Sequence, residues 1–121
     1  ALRRPRHFWQ HIIMEEADAI AALGALSQSM RLRVFRALVG AGPQGMTPGV
    51  LSATLDVPAS TLSFHLKGLT NSGLVSQERD GRNLIYRPDI GQMNALIGYL
   101  SAHCCQGQDC GLASGADCKR C

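Results

Sequence analysis

Aromatic residues are scarce in this chain, with three Phe, two Tyr and one Trp among 121 residues. A core short of rings must be assembled from Leu, Ile, Val and Ala. Long apolar runs are missing too, and nothing approaches the roughly 20 residues that span a bilayer. The basic start (Arg3, Arg4, Arg6) is followed by no apolar segment, which speaks against a signal peptide. Cysteine is absent before Cys104, and all five lie from there onward. An extracellular disulfide scaffold spreads its cysteines through the fold. An odd number confined to one tail suits a thiol site in a reducing cytoplasm. Charge of one sign is not dominant, because a net charge of +3 permits nucleic-acid binding without demanding it. No Ser/His/Asp or Cys/His arrangement and no phosphate-cradling glycine loop after a strand is present, so an enzyme is not expected.

What is present centres on DVPASTLSFHLKGLTNSGL, residues 56–74. Pro58 suits the first turn of a helix. Leu62, Leu66 and Leu69 recur at i, i+4, i+7 and make one apolar stripe. Ser60, Ser63, Phe64 and Lys67 fall on the opposite side, which carries hydroxyls, a cation and a ring but no carboxylate. Such a face suits a DNA major groove: hydroxyls and Lys bond phosphates and base edges, and Phe64 can pack on a thymine methyl. Gly73 is placed to end the helix.

Upstream, residues 1–11 read as a basic arm, with His7 and His11 at i, i+4 but no third ligand nearby. Residues 12–26 read as an Ala-rich helix with Ile13, Ala17, Ile20, Leu23 (or Gly24) and Leu26 as its stripe. A second helix is expected over Met30–Val39, capped by Ser29. Leu32, Phe35, Leu38 and Val39 face inward, and Arg31, Arg33 and Arg36 outward. After the break at residues 40–45, Thr47 caps a short helix opening at Pro48, with Val50, Leu51 and Leu55 inward. A tight turn then leads to the central helix, a helix-turn-helix order. Two β-rich runs flanking Asp80-Gly81 make a hairpin, and Arg79 and Arg82 at its tip can reach phosphates or the minor groove. A last helix from about Ile90 to Cys104 carries Met93, Leu96, Ile97, Leu100 and Cys104 on one stripe, facing either the core or a second subunit. The fold class expected is therefore mainly α with a β-hairpin wing, a winged helix-turn-helix over residues 12–104, followed by a cysteine-rich tail over residues 105–121.

SQSMRLRVFRALV, STLSFHLKGLTNSGLV and ERDGRNLIYRP together resemble the ArsR/SmtB family of metal-responsive winged-helix repressors, from about Ala17 to Leu100. The resemblance implies a homodimer joined through its N- and C-terminal helices, operator double-stranded DNA as partner, and Ser60, Ser63, His65 and Lys67 on or beside the reading helix; Thr61 and Phe64 join them as expected DNA contacts, and His65 faces either the DNA or the core. Two inducer sites known in that family are missing. Residues 45–50 hold no thiol, and the last helix has Asp89 and His103 but lacks further His or acidic residues at the spacing such a metal site needs. Instead Cys104-Cys105-Gln-Gly-Gln-Asp-Cys110 resembles a subgroup that senses trivalent arsenic at the end of that helix. Arsenic(III) or antimony(III) takes three thiolates in a pyramid, which Cys104, Cys105 and Cys110 can supply. Zinc or cadmium takes four, and the C-x-x-C of Cys118 and Cys121 could complete such a site. Thiol oxidation, favoured by the neighbouring Lys119 and Arg120, is a third reading of the same tail.

Overall fold

The computed structural model describes residues 14–102. Five helices and one hairpin follow in the order α1 (Glu16–Leu26), α2 (Ser29–Ala41), α3 (Pro48–Leu55), α4 (Ala59–Asn71), β1 (Val75–Asp80), β2 (Asn83–Pro88) and α5 (Ile90–Ser101). The core is aliphatic and centred on α4. Leu62, Leu66 and Leu69 are at most 2% exposed and join Val34, Phe35 and Leu38 of α2, Leu51 of α3, and Leu74 and Val75 beyond α4. Burying one such leucine side chain contributes about 1.5–3 kcal/mol, so this stripe alone holds α4 firmly in orientation.

Helix boundaries follow local chemistry. The Asp18 carboxylate accepts from the Glu15 N–H at the start of α1. Gln28, not Ser29, caps α2, its side-chain oxygen accepting from Arg31 N at 2.9 Å. Thr47 caps α3 as expected, with Pro48 in its first turn. Between α3 and α4, Asp56 takes a left-handed conformation (φ 54°), which a short polar side chain tolerates. Ser52 locks this turn by donating its hydroxyl to the Val57 carbonyl, while its own carbonyl accepts from Val57 N. Pro58 sits one position earlier than expected, as the residue before the first turn of α4. Asp89 caps α5 through Gln92 N and donates its own N–H to the Leu74 carbonyl, closing the base of the hairpin.

Several inward assignments change. In α1 the buried residues are Ala19, Ala22 and Ala25, whereas Ile20 (63% exposed) and Leu23 face out. Two apolar stripes coexist on this helix, and the smaller residues win the core because they allow close helix approach. In α2, Val34 replaces Leu32 and Val39 in the core; in α3, Val50 is exposed and Leu51 alone is fully buried. The α5 stripe, expected to face either the core or a second subunit, divides: Leu96 is buried and Met93 half-buried, while Ile97 and Leu100 face out. Cys104, expected at the end of this helix, lies outside the described residues.

The hairpin is antiparallel with Val75 opposite Pro88 and Asp80 opposite Asn83. Its loop is therefore Gly81-Arg82, one residue later than an Asp-Gly turn. Gly81 has φ 63° and Arg82 is not left-handed, the pattern of a two-residue loop with glycine first. A bridge from Met46 to Tyr86 ties β2 to the segment before α3. Gly45 beside it has φ 68°, and a Cβ there would lie 2.6 Å from the Tyr86 carbonyl oxygen. At Gly81 (φ 63°) a Cβ would meet nothing. Gly45→Ala should therefore destabilise the fold by roughly 1–3 kcal/mol, and clearly more than Gly81→Ala, in urea unfolding. Equal losses would mean that the bridge does not constrain the wing.

Candidate nucleic-acid interface

One side of α4 is buried, so its other side is defined by subtraction. Ser60, Thr61, Ser63, Phe64 and Lys67 are all exposed, Phe64 to 65%. Ser60, Phe64 and Lys67 lie directly opposite the leucine stripe, with Ser63 toward one flank and Thr61 toward the other. An apolar ring exposed amid hydroxyls and an amine is a candidate contact surface, since it offers both hydrogen bonds and a methyl-sized apolar patch.

The two flanks of α4 differ. On one, Ser63, Lys67, Thr70 and Asn71 face Gln77 and Tyr86 of the hairpin across a groove of about 290 Å³. The hairpin extends beyond this groove with Arg79 and Arg82 exposed near its end, beside Asp80. Arg87, by contrast, is spent internally: its Nε donates to the Pro43 carbonyl at 2.8 Å and it pairs with Glu78 at 3.2 Å. On the other flank Arg31 of α2 reaches α4. Its Cζ lies 5.7 Å from the Phe64 ring centre, and a Cβ on Gly68 would stand 3.1 Å from its Nε. Arg31, expected on the outside of α2, is half-buried between helices. A glycine in mid-helix costs about 1 kcal/mol relative to Ala, so Gly68 was the signal that something packs closely there.

His65, open between DNA and core in the sequence, lies on the core side of α4. It is 8% exposed, edge-on to Phe64 with ring centres 5.5 Å apart, and its Nδ1 is buried without a partner. It lies toward the core because position 65 falls beside Leu69 around the helix, at the edge of the leucine stripe. Burial first, and then the Arg31 charge, lower its pKa from the ordinary 6.5. A neutral, enclosed imidazole is a packing residue and not a phosphate ligand. Among the described residues no three His, Cys, Asp or Glu side chains come together in a way that could hold a metal. Cys104, Cys105 and Cys110 lie outside the described residues, as do Cys118 and Cys121.

A short helix, a turn locked by a left-handed residue, an exposed polar helix and an antiparallel hairpin in that order define a winged helix-turn-helix protein. A family model described as a helix-turn-helix domain matches residues 26–78. The chain is 31% identical over 83 residues to the HTH-type transcriptional regulator YgaV of Escherichia coli (strain K12), covering 69% of this chain and 82% of that one. It is 28% identical over 97 residues to the transcriptional activator HlyU of Vibrio cholerae, covering 80% and 87%. Among solved structures, an ArsR-like transcriptional regulator from Rhodococcus sp. RHA1 superposes with a TM-score of 0.64 at 26% identity, covering 70% of this chain and 77% of that one. A possible transcriptional regulator for arsenical resistance superposes with a TM-score of 0.58 at 28% identity, covering 67% and 81%. The chain belongs to the ArsR/SmtB family of winged-helix transcriptional regulators. Its relatives are regulators, so the chain is a regulator and not an enzyme.

The His65 environment carries a pH prediction. The unfolded chain takes up a proton near pH 6.5 that the folded chain, with its lowered pKa, refuses. Above pH 6.5 both forms are neutral and nothing is lost. As pH falls below 6.5, stability should decline until the lowered folded-state value is reached. Urea unfolding between pH 7.5 and 5.5 should show this decline in the wild type and a weaker one in His65→Gln; parallel curves would contradict it.

Proposed function

We propose that this protein is a dimeric, metalloid-responsive repressor: it holds operator DNA with α4 and the hairpin, and lets go when arsenic(III) or antimony(III) binds Cys104, Cys105 and Cys110. The observation that carries the reading is where the thiols lie along the chain. They follow directly on α5, whose outward face presents Ile97 (51% exposed) and Leu100 (59% exposed). Helix α5 packs on α1, whose outward face presents Ile20 and Leu23. Exposed apolar side chains on two helices that pack together suit a two-fold interface between copies of this chain. Pairing two recognition helices across it allows an inverted-repeat operator to be read. The match to a possible regulator of arsenical resistance supports the choice of ligand, as do the three soft donors. No helix among the described residues is long and apolar enough to cross a membrane, and a reducing cytoplasm keeps the thiols available.

Thiolates drawn together at the end of α5 act on the same surface that sets the distance between the two α4 helices. Operator half-sites have fixed spacing, so a small change in that distance is costly. A hundredfold loss of DNA affinity requires the inducer to prefer the released state by about 2.7 kcal/mol, well within the reach of three sulfur bonds. Operator DNA must then weaken inducer binding by the same factor.

Titration of arsenite, antimonite, zinc and cadmium into the protein–operator complex tests this. Arsenite should dissociate the wild-type complex, and Cys104→Ser, Cys105→Ser and Cys110→Ser should each stay bound. Removing the chain beyond Gly111, and with it Cys118 and Cys121, should leave the response intact. Dissociation by zinc alone, or loss of response on that truncation, would instead favour a four-thiolate site. An arsenite response surviving in the triple mutant would overturn the ligand set.

A further inference from the structure

We propose that Arg31 is a backbone clamp that binds a DNA phosphate on the strand opposite the one facing the hairpin. The inference rests on the reading that α4 enters a major groove, and adds a contact from outside the helix-turn-helix pair. Arg31 leaves the first turn of α2 and lies on the flank of α4 marked by Gly68, with Thr61 on the same side. The hairpin occupies the other flank, beside Ser63, Lys67, Thr70 and Asn71. A major groove about 12 Å wide has a phosphate chain along each edge, so a helix seated in it needs cations on both sides. Lys67, Arg79 and Arg82 supply them on or beyond the hairpin side. Arg31 is the cation that the described structure brings to the opposite flank.

Its surroundings are those of a ligand-binding guanidinium and not of a structural ion pair. Nε is buried without a hydrogen-bond partner. No carboxylate among the described residues is in an ion pair with it, and its charge joins burial in pushing the His65 imidazole toward the neutral form. A half-buried cation without a counter-charge is costly, and a phosphate oxygen would offset that cost with charge-assisted hydrogen bonds. The seat is prepared for it. Gly68 leaves room against the helix backbone, and the exposed Phe64 ring lies 5.7 Å away as a cation–π partner that orients the fork without neutralising it.

The test is the salt dependence of binding to a mixed-sequence duplex, for the wild type, Arg31→Gln, Arg31→Lys and Lys67→Gln. Arg31→Gln should lower the slope of log K against log salt by about 0.9, the amount expected for one lost phosphate contact. Arg31→Lys should keep the wild-type slope, which a purely structural brace would not predict. A folded Arg31→Gln protein with an unchanged slope overturns the proposal. Should that variant fail to fold, the guanidinium resonance of Arg31 in the wild-type protein decides: it must shift on titration with the duplex, and a resonance unmoved at saturation overturns it. Inorganic phosphate titrated alone separates a DNA phosphate from a free anion. A response to phosphate at the same concentrations as to duplex phosphate would overturn the backbone assignment. Failure of the wild type to bind any duplex would sink the DNA-binding reading itself. An unchanged slope for Arg31→Gln beside a lowered one for Lys67→Gln would sink the clamp alone.

Discussion

Everything functional in this molecule depends on the burial of one leucine stripe. With Leu62, Leu66 and Leu69 enclosed by α2, α3 and the start of the hairpin, α4 can turn only one face outward. That face carries Ser60, Ser63, Phe64 and Lys67 because they alternate with the leucines at helical spacing. Losing one leucine to Ala would leave a cavity costing about 2–5 kcal/mol, a large share of what a domain this size possesses. The reading surface is thus a by-product of core packing, and its orientation is as rigid as the core.

Around that helix the chain arranges two supports of different kinds. The hairpin is anchored by backbone: the Met46–Tyr86 bridge, the Asp89 N–H on Leu74 and the Arg87 link to Pro43 fix where its loop projects. The α2 side is anchored by a side chain, with Arg31 lying against Gly68 and Phe64. Backbone anchoring makes the wing a fixed distance from α4, while a side chain on a flexible stem keeps some freedom of reach. Away from the exposed face of α4, Ile20 and Leu23 of α1 and Ile97 and Leu100 of α5 leave apolar side chains exposed on two helices that pack together.

Much of this was legible in the sequence, for identifiable reasons. The leucine period, the Thr47 cap and the alternating runs of the hairpin are local signals, and local signals located α3, α4 and both strands within a residue or two. The misplaced assignments share one cause. In α1 and α2 two apolar stripes compete, and periodicity cannot say that Ala19, Ala22 and Ala25 go inside while Ile20 faces out, or that Val34 displaces Leu32. That choice is made by tertiary approach distance, which a single helix does not encode. Arg31 is half-buried and not outside, and the sequence leaves His65 open between DNA and core, for a related reason: both lie at the edge of a buried face, where a rotation of one residue decides exposure. The hairpin loop fell one residue late because Asp-Gly and Gly-Arg both satisfy turn chemistry, and the register of the strands decides between them.

The claim on which the rest turns is that the Ser60–Lys67 face of α4 enters the major groove, twice and symmetrically. Dimethyl sulfate footprinting on an operator fragment measures this directly, since the reagent attacks guanine N7 in the major groove and adenine N3 in the minor groove. Two patches of guanine N7 protection should appear, centred about 10–10.5 base pairs apart or a multiple of that, and both should weaken in Phe64→Ala. Protection confined to adenine N3, or a single unpaired patch of N7 protection, would contradict a symmetric major-groove reader.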